Sequence, residues 1–155
     1  MHEPLTNWFC DRCGEVIENI DAGHVVWRRD QDLREYDFSI IHRTCDVGNQ
    51  FPCWEELRDF VGSDGLSELL SFVSLGPFIS QPGVASTRGP ADNDQFVDLI
   101  RRVQLPYYEE ARQYFSREGM AERMAGENEV APYRVERLRE LIAKFELNDD
   151  TESDA

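Results

Sequence analysis

Trp8-Phe9-Cys10-Asp11-Arg12-Cys13-Gly14 opens a pattern that His42-Arg43-Thr44-Cys45 completes, with 28 residues between Cys13 and His42. Each half offers two soft ligands separated by two residues. Together Cys10, Cys13, His42 and Cys45 are the donor set that a tetrahedral zinc ion takes. A knuckle must curl its backbone so that amide N–H groups point at the sulfurs, and Gly14 directly after Cys13 relaxes the φ restriction there. Three thiolates and one neutral imidazole around Zn2+ leave a formal charge near −1. Arg12 and Arg43, each lying between two ligands, are placed to offset it. The reading is one structural Zn2+ ion, and loss of any ligand is expected to unfold the first half of the chain.

Three other assignments compete for these residues. A CxxC pair also serves as a redox dithiol, but no βαβ pattern surrounds this one, and His42 with Cys45 would then go unexplained. Cys53, eight residues after Cys45, is an alternative ligand in place of His42 or Cys45. A free cysteine is more commonly a small buried hydrophobe, and Cys53 is read that way. His24 opens the apolar run His24-Val25-Val26-Trp27 and has no partner at knuckle spacing, so it is read as a strand-end histidine.

Over residues 8–46 the CxxC…HxxC pattern resembles treble-clef and zinc-ribbon modules of the kind found in LIM first fingers. That resemblance implies a knuckle, a β-hairpin, and a second ligand pair delivered at the far end of the hairpin, with Cys10, Cys13, His42 and Cys45 as ligands. Unlike LIM domains, the chain has no second finger and no further CxxC.

The residues between the knuckles fit a hairpin. Val25-Val26-Trp27 and Phe38-Ser39-Ile40-Ile41 are β-branched and aromatic runs joined by a charged stretch. Period-2 alternation puts Phe38, Ile40 and His42 on one face, so the face that packs on the core also aims the histidine at the metal. Beyond Cys45 the spacing turns helical. Trp54, Leu57, Phe60 and Val61 predict one helix ending at Gly62; Leu66, Leu69, Leu70, Phe72 and Val73 predict a second, capped by Asp64 and ended by Gly76-Pro77. The fold class is α+β: residues 1–76 form a zinc-binding hairpin with two helices, residues 77–93 a Pro/Gly-rich linker, residues 94–146 a helical region, and residues 147–155 an acidic disordered tail. The helical region is predicted as segments 94–105, 106–116 and 132–146, with Pro106 and Pro132 at first helical positions.

Composition bounds the function. Among 155 residues, 31 acids face 16 bases, for a net charge of −15, and all bases but Lys144 are arginine. The excess runs through both halves, which resembles the proteins of salt-loving archaea, whose acidic surfaces are screened by concentrated salt. The start Met1-His2-Glu3-Pro4 lacks the basic and apolar signature of a secretory signal, and the apolar stretch 66–79 is too short for a membrane span, so a cytoplasmic location is expected.

No GxGxxG, P-loop, HExxH or GxSxG occurs. The first expectation is therefore a binding or regulatory protein acting through contacts with another protein. The second is a helix-turn-helix regulator: residues 96–103 and 105–112 have the cadence of two helices around a tight turn, and Tyr107, Tyr108, Arg112 and Gln113 would be the nucleic-acid contacts. Glu109 and Glu110 in the recognition position oppose that reading. A third, a zinc- or thiol-dependent enzyme, requires an open coordination position or a reactive cysteine. The sequence leaves the partner and the oligomeric state open.

Overall fold

The structure is a computed structural model that describes residues 5–74, 76 and 89–152. It is a mixed α and β chain in two compact units, Met1–Gln104 and Leu105–Ala155.

In the first unit, β1 (Trp8–Phe9) and β2 (Val16–Ile17) form a two-stranded ladder around the Cys10–Gly14 turn. β3 (Gly23–Arg29), β4 (Glu35–His42) and β5 (Cys53–Glu56) form an antiparallel sheet in the order β4-β3-β5. The β3–β4 hairpin turns where Asp30 Oδ1 accepts from the backbone N–H of Asp32 (2.9 Å) and Arg34 (2.8 Å), the local bonding that makes aspartate a turn residue. Val25 pairs with Ile40 and Gly23 with His42, so Ile40 and His42 share a face as the alternation requires. The register slips between Val26 and Arg28, a bulge opposite a β4 segment in which Asp37 has φ +61°, and Phe38 packs against the core.

The outer edge of β4 is closed by other parts of the chain. Glu35 pairs with the Gly89–Ala91 backbone, the Asp37 N–H donates to Gln95 Oε1 (2.6 Å), and Asp11 exchanges bonds with Ile40. Behind the sheet lie α1 (Gly62–Ser71) and α2 (Asn93–Gln104). Asp92 caps α2 by accepting from the N–H of Asp94 and Gln95. Trp27, Phe38, Phe60, Phe72 and Phe96 meet between these layers with ring centroids 5.3–6.3 Å apart.

The structure departs from the spacing in several places. The helix expected over residues 54–61 is instead β5 followed by a 3-10 turn, Leu57–Phe60. Leu57 and Phe60 are fully buried, but Trp54 is 55 % exposed and faces away from them. Backbone pairing with the open edge of β3 outweighs a helical stripe whose first member contributes nothing to the core. Among the described residues, the first of the two helices expected before residue 77 is therefore replaced by a strand and a 3-10 turn, and α1 stands where the second was expected. Most of the expected linker, residues 77–88, lies outside the described residues, whereas Gly89–Asn93 is held by β4 and by the α2 cap. The helix expected at 94–105 belongs to the first unit, and the division falls at Gln104–Leu105.

The second unit contains α3 (Tyr108–Arg112), α4 (Met120–Met124) and α5 (Val135–Glu152) around Tyr108, Ala111, Met120, Leu138 and Leu141. Pro132 sits in a 3-10 turn before α5 rather than at its first residue. α5 runs into the expected disordered tail, because Arg117 lies over Tyr114 and Phe145 and bonds both oxygens of Asp149 (2.9 and 3.0 Å). Residues 153–155 lie outside the described residues. Among the described residues no helix is long and apolar enough to cross a membrane.

Candidate metal centre

The four spacing-predicted ligands converge. One donor atom from each of Cys10, Cys13, His42 and Cys45 lies within 4.8 Å of all the others. A tetrahedral zinc with Zn–S near ~2.3 Å and Zn–N near ~2.0–2.1 Å has S···S edges of about 3.8 Å and S···N edges of about 3.6 Å. Here Cys10 Sγ and Cys45 Sγ are 3.7 Å apart, and His42 Nδ1 lies 3.4 Å from Cys13 Sγ and 4.0 Å from Cys45 Sγ. A disulfide would need an S–S distance of about 2.05 Å, and all four cysteines are free.

The backbone builds this arrangement from both ends. After β1 the chain turns at Cys10, whose N–H donates to Glu15 O (2.9 Å), while the Gly14 N–H returns to Cys10 O (2.8 Å) at φ +79°. A side chain at that φ would be strained, so glycine is the residue the turn needs. The N–H groups of Cys13 (3.5 Å) and His42 (3.4 Å) point at Cys10 Sγ. His42 ends β4, and the Cys45 N–H closes the second turn onto His42 O (3.0 Å). The other ring nitrogen of His42, Nε2, is 3.1 Å from Val16 O. A carbonyl only accepts, so Nε2 carries the proton and Nδ1 presents its lone pair to the sulfurs, the tautomer that a metal ligand requires.

The protonation chemistry also favours a cation. Burial opposes ionisation of Cys10, but the N–H groups of Cys13, His42 and Arg12 outweigh it and bring its pKa down to about 6. Cys45 is pushed up to about 11 by burial and by the neighbouring sulfurs of Cys10 and Cys13. Crowded thiolates repel one another, and a divalent ion turns that repulsion into coordination. Arg43 does not serve this purpose: its guanidinium contacts Asp21 O (3.2 Å) and Glu56 (3.4 Å).

Two residues escaped the motif reading. Asp11, between the ligands of the first knuckle, accepts from the Ile40 N–H (2.7 Å) and from Arg102 Nη1 (2.6 Å). Arg102 also donates to Phe9 O (3.0 Å), and Trp8 Nε1–H donates to Arg102 O (3.2 Å). The available signal was an arginine on the same helical stripe as Phe96, Leu99 and Val103.

The remaining candidates lie elsewhere. Cys53 is outside the cluster and pairs with Trp27 across the sheet. His24, on β3, stacks on Trp54 with centroids 4.7 Å apart and lies 3.6 Å from Glu56. Among the proposed nucleic-acid contacts, Tyr108 is 4 % exposed and packs in the second unit's core against Phe115 and Tyr133. Tyr107 lies beneath the Arg139 guanidinium, Arg112 is 3.9 Å from Glu109, and Gln113 Nε2 donates to Glu109 O. A buried Tyr108 is a core residue rather than a base-reading one. Comparison with protein-family models, curated proteins and solved structures finds no match, so the chemistry of this centre stands on its geometry.

Proposed function

We propose that the protein is a binding or regulatory module whose first unit is organised by one structural Zn2+ ion and which acts through contacts with another protein. The observation that supports it most is the donor set: four candidate donors lie within 4.8 Å of one another, three of their separations (3.4, 3.7 and 4.0 Å) are close to tetrahedral edges, and together they would fill a four-coordinate sphere. A catalytic zinc keeps a position open for water or substrate, and a closed sphere serves folding. The contact surface we favour is the outer face of β5, where the Trp54 ring is half in solvent, stacked on His24 and bordered by Glu56 and Arg43. Tryptophan and arginine are the residue types enriched at protein interfaces.

The experiment has two arms. Purified protein should hold one zinc per chain that survives dialysis. In molar KCl, a partner captured by the wild type should be lost with Trp54→Ala, whose zinc content stays at one. A metal-free product refutes the structural part, and equal capture by Trp54→Ala refutes the surface.

A further inference from the structure

We propose that Arg102 is a positioning residue for the metal knuckle, and that metal occupancy and docking of α2 form one coupled equilibrium. The proposal rests on the zinc reading above and names how that site is regulated.

Arg102 is only 3 % exposed, so its charge has been taken out of water and must be met by protein acceptors. Two of those acceptors belong to the knuckle strand: Asp11 Oδ2, one residue after Cys10, at 2.6 Å, and Phe9 O, one residue before it, at 3.0 Å. The guanidinium thus holds both neighbours of the most buried candidate ligand, the side-chain carboxylate of Asp11 after it and the backbone carbonyl of Phe9 before it. Trp8 returns a bond from Nε1 to Arg102 O, and Asp11 Oδ2 also takes the Ile40 N–H from β4, the strand that delivers His42. Both ligand-bearing segments are therefore tied to α2 through one carboxylate.

The coupling follows from geometry. When the metal leaves, the Cys10–Gly14 turn keeps only its backbone hydrogen bonds, and Asp11 and Phe9 O are held less firmly in place. A buried guanidinium deprived of those acceptors is costly, and the structure relieves that cost by letting the α2 end that carries Arg102 come away from the sheet. Linkage makes the effect reciprocal: whatever factor the metal contributes to α2 docking, docked α2 contributes to metal affinity. The end of α2 carrying Leu99 and Val103 opens with it, so metal loss uncovers apolar surface of this helix.

Three measurements on the protein of residues 1–155 test this. Hydrogen exchange on the zinc-loaded wild type, before and after chelation, should show protection falling across residues 96–104 together with residues 8–17. Protection that persists in 96–104 while 8–17 opens overturns the coupling. Competition against a chromogenic chelator, with zinc alone as the ligand, should show affinity about tenfold or more weaker in Arg102→Met and partly restored in Arg102→Lys. The cobalt-substituted Arg102→Met protein should show shifted visible bands, which a loss of general stability would leave in place. Wild-type affinity and cobalt spectrum in Arg102→Met overturn the positioning role. If Arg102→Met does not fold, the wild-type exchange decides alone. A metal-free wild type would refute the zinc reading itself, whereas a metal-loaded protein indifferent to Arg102 refutes this inference only.

Discussion

Cys10→Ser paired with Cys53→Ser separates a ligand from a cysteine that merely lies in the same unit. Cys10 Sγ is 3.7 Å from Cys45 Sγ and takes the N–H groups of Cys13 and His42, and its residue is 2 % exposed within the core of the first unit. Cys53 is half-buried on β5 and outside the ligand cluster. Apparent zinc binding in small fingers is roughly 10–16 kcal/mol over four ligands, so one ligand accounts for about 3 kcal/mol. For a unit of the size of Met1–Gln104, a change of 1 kcal/mol moves Tm by roughly 4–8 °C. Cys10→Ser is therefore expected to lower the first unit's Tm by roughly 12–24 °C and to abolish stoichiometric zinc. Cys53→Ser should keep one zinc per chain, with a loss of only about 1 kcal/mol from placing a hydroxyl in a half-buried site. Calorimetry with parallel elemental analysis reads both quantities. The assignment of ligands fails if Cys53→Ser loses the metal or if Cys10→Ser retains it at full stoichiometry.

Three further outcomes are expected. Gly65→Ala should destabilise the first unit by about 1–3 kcal/mol or more, because the added Cβ would lie 2.8 Å from Phe60 Cα and overlap its carbonyl group; an unchanged denaturation midpoint contradicts the packing of α1 on the Leu57–Phe60 turn. Zinc uptake at neutral pH should release protons and strengthen as pH rises above about 6: Cys10 is already ionised there, while Cys45, held near 11, must give up its proton to bind. Titration calorimetry in buffers of different ionisation enthalpy measures this, and a buffer-independent heat opposes it. Hydrogen bonding to Arg117 holds the Asp149 carboxyl below its ordinary value of 3.8, so its contribution is present above that value and lost as pH falls through the lowered one. Protection from exchange at the end of α5, taken relative to the intrinsic rate at each pH, should fall in acid in the wild type and be low throughout in Asp149→Asn; identical profiles would refute the contact.

The candidate donor set was legible because its spacing is visible in one sequence: two donors per turn, glycine after the first pair, and a strand parity that puts His42 on the inward face. The hairpin was legible through its β-branched and aromatic runs. What escaped depends on contacts far apart in the chain. Cys53–Glu56 has helix-like spacing on paper, and only the open edge of β3 makes it a strand. Arg102 and Asp11 are 91 residues apart, so no local pattern joins them. The last turns of α5 look like an acidic tail until Arg117, 32 residues earlier, supplies the countercharge for Asp149. Tyr108 reads as a surface contact in a helix-turn-helix cadence, yet Phe115 and Tyr133 enclose it.

X-ray absorption at the zinc edge of the purified protein reads the identity and distance of the metal's neighbours. Three sulfurs at ~2.3 Å and one imidazole nitrogen at ~2.0–2.1 Å, one ion per chain, are the expected first shell. A spectrum dominated by oxygen ligands, or a sample with no bound metal, would contradict it.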